Sequence, residues 1–200
     1  MEIIPLIILE KHGLSKKDLV LIENLKHQNN EEKKLYIIDQ DGIKKNKPNL
    51  ALYQKFSKYF DTWVDNGPRY LGDVVDTFMT GATSITLRTE TWPLIDIESI
   101  REISENRIFQ LIKHDEASYT PGTIFPNVDG YVIFKEKKSA VNDFKTDYYY
   151  KQFITKNKTY IYEKNINKLR DLADKKPAGV LIDLENYQEF KKTWFLKQKQ

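Results

Sequence analysis

Short apolar runs alternate with longer stretches of helical period along almost the whole chain, and no other feature constrains the fold as strongly. Strand then helix, repeated, predicts a parallel sheet covered by crossover helices. Strands are read at Ile3 to Leu9, Leu35 to Ile38, Thr62 to Val64 and Ser84 to Leu87. Four more come at Ile108 to Ile112, Tyr131 to Phe134, Thr159 to Tyr162 and Gly179 to Ile182. Ser15 and Asp18 form a capping box ahead of Leu19, Ile22 and Leu25, and Asn49 opens a helix carrying Tyr53, Phe56 and Phe60 on one face. Leu71, Val74, Val75 and Phe78 mark a third helix, stopped by Gly81, and Ile97, Ile100 and Ile103 a fourth. Helices on Val141, Phe144 and Tyr148, on Ile166, Leu169 and Leu172, and on Tyr187, Phe190 and Trp194 complete the series before a polar Lys/Gln tail.

The stretch from Glu116 to Asn127 breaks this rhythm, since Pro121, Gly122 and Pro126 leave no room for an ordinary crossover helix. The expected fold is therefore a trimmed TIM-type (β/α)₈ barrel lacking the helix between strands five and six. Barrels of this kind usually take about 250 residues, so trimming is required. An open, doubly wound sheet is the competing architecture, because strand counting does not reveal closure. One domain over residues 1–200 is expected, built from two half-barrels of about 1–106 and 107–200. Thr62-Trp63-Val64-Asp65-Asn66-Gly67, with the helix and strand after it, is echoed by Thr159-Tyr160-Ile161-Tyr162-Glu163-Lys164 and its own helix and strand. Each half passes through a small-residue turn, Gly81-Ala82 and Ala178-Gly179.

Composition excludes several functions. Lys and Arg number 32 against 29 Asp and Glu, a net charge of +3 that is too small and too mixed for a nucleic-acid surface. Tyr148-Tyr149-Tyr150 can stack on bases, but at helical spacing these rings pack or face solvent. No apolar run nears the roughly 18 residues of a membrane span, and the opening segment lacks a signal peptide's basic start, so a cytoplasmic protein is expected. Without cysteine there is no thiolate chemistry, His12 and His27 lack partners at ligand spacing, and no His/Asp/Glu cluster matches a metal motif. No metal and no cofactor are expected.

Met1-Glu2-Ile3-Ile4-Pro5, Tyr36-Ile37-Ile38-Asp39-Gln40-Asp41-Gly42, Trp63-Val64-Asp65-Asn66-Gly67-Pro68-Arg69 and Gly81-Ala82 occur in this order. They resemble successive motifs of the histidine-biosynthesis barrels, the phosphoribosyl-formimino-aminoimidazole-carboxamide ribotide isomerases and their cyclase relatives in imidazole glycerol phosphate synthesis. Asn49 and Arg88-Thr89-Glu90-Thr91 look closest to divergent, archaeal-type paralogues. The resemblance implies an isomerase with two aspartates, ending strands one and five, as general acid and base. Those positions fall here on Ile8 and Ile112, where no proton can move. It also implies glycine-rich phosphate turns after strands three, four, seven and eight. Gly67 survives, while Arg88, Glu163-Lys164 and Asp183 stand in the other places.

What remains is a set of candidates. Asp39 and Asp41, two apart, are expected to point the same way, with Asp65 one strand over, as a Mg²⁺ or acid/base site. A hydrogen-bonded structural carboxylate is the competing meaning of Asp39. Lys113 and His114 are acid/base candidates on strand five. Gly67, Arg69, Arg88 and Thr89 are candidates for holding an anion, against an ion pair of Arg88 with Asp65 or Glu90. Two functions are consistent with this set: a barrel without the isomerase activity that binds a small anionic metabolite or a protein partner, or an isomerase- or lyase-type enzyme on another small anionic substrate.

Overall fold

The computed structural model describes residues 1–11, 13–27, 33–113, 124–134 and 144–197. Eight parallel strands close a barrel in chain order, each hydrogen-bonded to its neighbours and β8 to β1. They are β1 (Glu2–Leu9), β2 (Lys34–Asp39), β3 (Asp61–Asp65), β4 (Ser84–Leu87), β5 (Arg107–Lys113), β6 (Gly130–Phe134), β7 (Thr159–Tyr162) and β8 (Gly179–Asp183). Closure rules out the open-sheet alternative and leaves no exposed strand edge.

The helices are α1 (Lys16–Lys26), α2 (Gln40–Lys45), α3 (Leu50–Ser57), α4 (Leu71–Met79), α5 (Ile97–Ile103), α6 (Phe144–Lys156), α7 (Leu169–Lys175), preceded by one 3₁₀ turn, and α8 (Tyr187–Lys197). Ser15 caps α1 as expected, its hydroxyl accepting from the Asp18 N–H at 3.0 Å. Leu19, however, is solvent-exposed; Ile22 and Leu25 face the strands, with Leu21 packed beside them. Ile103 likewise stands outside the α5 core formed by Ile97 and Ile100. Gly81 follows α4 at φ +90°, the left-handed geometry that ends a helix. Between β5 and β6, residues 124–129 contain no helix. The remainder of that connection, like Val141, lies outside the described residues.

Side chains alternate across every strand. Even positions of β1 and β2 and odd positions of β3 point inward, giving an interior of Ile4, Leu6, Tyr36, Ile38, Trp63, Phe109, Leu111, Val132, Tyr160 and Leu181. Trp63 is its centre: its ring lies 3.9 Å from Phe109 and meets Tyr36 and Tyr160 edge-on, both at 4.9 Å. The outward residues pack on the helices, for example Ile7, Ile37 and Val64 with Ile22, Tyr53 and Phe56. No helix among the described residues is long and apolar enough to cross a membrane.

Burial pushes the hydroxyls of Tyr36, Tyr53 and Tyr162 well above the usual tyrosine range, and that of Tyr160 up to about 12. Nearby carboxylates, Asp65, Asp39, Asp183 and Glu2 respectively, push the same way. A raised folded pKa means the stabilising contribution is intact below the free value of 10.0 and lost as pH rises through the folded one. Each such hydroxyl costs up to about 1.4 kcal/mol per pH unit above 10. Unfolding and tyrosinate absorbance should therefore appear together above pH 10. Normal titration of these tyrosines in a still-folded chain would contradict their burial.

Candidate functional site

The C-terminal ends of barrel strands are where inward side chains meet the loops. On β3 the inward residue there is Asp65, fully buried. Arg88, one residue past β4, grips it with two parallel bonds, Nε to Oδ1 and Nη2 to Oδ2, each 2.7 Å. The Tyr36 hydroxyl adds a third bond to Asp65 at 3.1 Å and reaches Thr86 at 3.1 Å. Thr86 also takes the Trp63 indole N–H at 2.8 Å. The remaining arm of Arg88 points to Glu90, Nη1 to Oε1 at 3.1 Å. Burial alone would lower the Arg88 pKa, but the Asp65 carboxylate outweighs it and holds the guanidinium charged. The ion-pair reading of Arg88 is thus realised with both carboxylates, and three of its donors are already spent.

Asp39 belongs to a different place. It ends β2 facing outward, toward α3, while Asp65 faces inward, so the two do not share a site. Its carboxylate accepts from the backbone N–H of Asp41 (3.0 Å), Gly42 (3.1 Å) and Asn49 (2.7 Å), from the Asn49 amide and from the Tyr53 hydroxyl. It is the N-cap of α2, a helix the periodicity did not predict. Asn49 does precede α3, as expected, but its side chain serves Asp39 in place of capping its own helix. Asp41, expected beside Asp39 on the strand, is instead in the first turn of α2 and pairs with Lys45 at 2.7 Å.

Arg69 does not assist Arg88. Its guanidinium binds the C-terminal end of α2, reaching the carbonyls of Gly42 (3.3 Å) and Ile43 (3.1 Å) and the Asn46 side chain (2.7 Å). Gly67, at φ +63°, is buried so close to Ile43 and Thr91 that a Cβ would lie 3.0 Å from the Ile43 Cα. Its role here is close packing of α2 against the loop after β3. Thr89 is half-buried in the turn after β4. His114 and the Lys113 side chain lie outside the described structure. Among the described residues no group of three His, Cys, Asp or Glu is placed to hold a metal ion.

Ile8 stands where expected, at the mouth: it pairs in register with inward-facing Ile38 and is 42% exposed. Ile112 does not. It points outward into the helix layer, among Tyr131, Ile133, Tyr150 and Phe153, and is 3% exposed. The inward residues of β5 are Phe109 and Leu111, so the sequence reading of strand five is off by one position.

The opposite side of the mouth carries a group whose members the sequence reading took only as occupants of lost phosphate turns. Asp183, the inward last residue of β8, accepts from the Tyr162 hydroxyl at 2.7 Å, and Lys164 stands 4.0 Å away. Phe134 stacks on Tyr162 at 4.8 Å. Alternation from Tyr160 and Leu181 would have placed Tyr162 and Asp183 inward. Glu163, read as standing in a phosphate turn, instead accepts from the Asn165 N–H at 2.9 Å, closing the turn into the next helix.

No protein-family model matches the chain, and no curated protein is significantly similar in sequence. Solved structures do match. Phosphoribosyl anthranilate isomerase from Thermococcus kodakaraensis superposes with a TM-score of 0.60 at 11% identity, over 95% of this chain and 98% of that one. A monomeric dihydrodipicolinate synthase variant gives a TM-score of 0.50 at 12% identity, over 92% of this chain and 69% of the other. At such identities the likeness speaks for the fold, and the chain is a TIM-type (β/α)₈ barrel.

Proposed function

We propose that the chain is a divergent relative of the histidine-biosynthesis isomerase barrels that no longer isomerises a phosphoribosyl substrate. It acts in the cytoplasm by binding a small anionic metabolite or a protein partner at the C-terminal end of the barrel. The observation that carries this reading is the state of the mouth's carboxylates. Sugar-phosphate isomerisation needs an acid and a base that reach the substrate. Asp65 is fully buried and locked by Arg88, and the mouth position of β1 is Ile8. A strain lacking the isomerase should not grow without histidine when supplied with this chain, although the protein accumulates in soluble form. Growth would sink the proposal.

One observation favours the second reading, an isomerase- or lyase-type enzyme on a different small anionic substrate. The Asp183 side chain is 20% exposed, bonded to Tyr162 and close to Lys164, so one carboxylate at the mouth is open to a ligand. Under that reading Asp183→Asn abolishes turnover while leaving ligand binding and thermal stability nearly unchanged. Retained turnover in the variant would remove Asp183 from the chemistry.

A further inference from the structure

Three neighbouring helices, α3, α4 and α5, end side by side at the strand-start end of the barrel. Each end presents a large apolar side chain to water. Tyr59, two residues past α3, is 52% exposed, Met79, the last residue of α4, is 79% exposed, and Ile103, the last of α5, is 48% exposed. The three ends are tied into one edge: the Ser57 hydroxyl of α3 donates to the Thr80 carbonyl after α4 at 2.6 Å, and the Asn106 side chain after α5 donates to the Ala82 carbonyl at 3.3 Å. With neighbouring helix axes about 8–10 Å apart, the apolar line from Tyr59 to Ile103 runs about 20 Å. Apolar residues exposed singly are ordinary, but three in line on linked helix ends form a patch of the kind that meets another surface.

The charges beside this line select that surface. Lys55 and Lys58 stand at the Tyr59 end, Glu102 and Glu105 at the Ile103 end, and all four are exposed. Lys55 is near enough to Glu23 of α1 to interact with it. Lys58, Glu102 and Glu105 have no ion pair or side-chain hydrogen bond among the described residues. Glu102 lies in the last turn of α5, where the helix's own carbonyl end disfavours an acid. Asp76, also exposed, sits one turn back along α4, off the line of helix ends. The edge therefore reads positive, apolar, negative. Turned through half a revolution about Met79 it complements itself, cation meeting carboxylate at both ends, which is what an isologous two-fold contact requires. A uniformly basic, acidic or apolar partner would match only part of it.

We propose that two copies of this chain associate through this edge about a two-fold axis at Met79, with Tyr59 of one copy on Ile103 of the other and Lys58 facing Glu102. Three apolar side chains and their flanking charges make a contact of modest size, so the dimer forms reversibly and depends on concentration. The C-terminal ends of the strands lie on the opposite face, so both barrel mouths stay open.

Sedimentation velocity of the full chain at low salt, from about 1 to about 200 µM, shows a monomer–dimer equilibrium that weakens as salt is raised. Lys58→Glu and Glu102→Lys, both on exposed side chains, each set like charges opposite one another twice and raise the dissociation constant at least about tenfold. Mixing the two variants in equal amounts restores dimers of the original strength, because each copy then meets the opposite charge at both ends. Single variants that dimerise as well as the parent overturn the proposal, as does a mixture no more associated than its parts. An unmodified chain that stays monomeric throughout, or grows beyond the dimer, overturns it as well, and that measurement decides the matter even if a variant fails to fold.

Discussion

Replacing Asp39 with alanine is expected to cost about 3–5 kcal/mol of folding free energy, since it removes several hydrogen bonds to a charged group at about 1.5–3 kcal/mol each, partly offset by no longer burying the charge. Five donor groups converge on this carboxylate: three backbone N–H groups, the Asn49 amide and the Tyr53 hydroxyl. Alanine leaves them facing an empty, buried space, where each lost bond also carries a desolvation cost. Tyr53→Phe removes one donor and leaves the carboxylate in place, so it should cost about 1.5–3 kcal/mol, the value of one charged hydrogen bond. Urea unfolding followed by circular dichroism measures both. A cost of under about 1 kcal/mol for Asp39→Ala would contradict the five hydrogen bonds assigned to its carboxylate.

Ile112→Asp should be harsher than Ile8→Asp by several kcal/mol, although the sequence places both residues at equivalent ends of strands. Ile112 is sealed between β5 and α6, so aspartate there forfeits about 2–3 kcal/mol of apolar burial and adds a carboxyl without a partner. The sum exceeds about 4 kcal/mol, enough to unfold a chain of ordinary stability. Ile8 is 42% exposed at the mouth, and aspartate there should stay within about 1 kcal/mol of the parent. Introducing both carboxylates to rebuild an isomerase would therefore fail at folding before it failed at catalysis. Equal tolerance of the two substitutions would mean that Ile112 points into the barrel after all.

These two residues also show where sequence reading reached its limit. Strand positions were legible because eight apolar runs stand out between polar, helical segments. Side-chain direction was not, because alternation has period two and a strand start misjudged by one residue reverses every assignment. For β5 the run begins at Arg107, a charged residue that hides the first strand position. Helix α2 escaped because it has six residues, one of them Gly42, and exists chiefly through its cap on Asp39. Both readings of Arg88 were visible, and geometry decided for the ion pair. The Arg107–Asp61 pair at the strand starts was invisible, since the two residues are 46 positions apart and meet only when β3 and β5 flank β4.

The ring cluster around Trp63 has a consequence for how the chain is made. Tyr36 and Trp63 come from β2 and β3, while their partners Phe109, Phe134 and Tyr160 come from β5, β6 and β7. A ribosome delivers the first two rings well before the others, so a nascent N-terminal half waits with aromatic faces in water. Its completion depends on contacts distant along the chain, which form slowly and leave intermediates prone to association. Synthesis and closure of this barrel are thus coupled, and the late-arriving strands act as the stopper for the early ones.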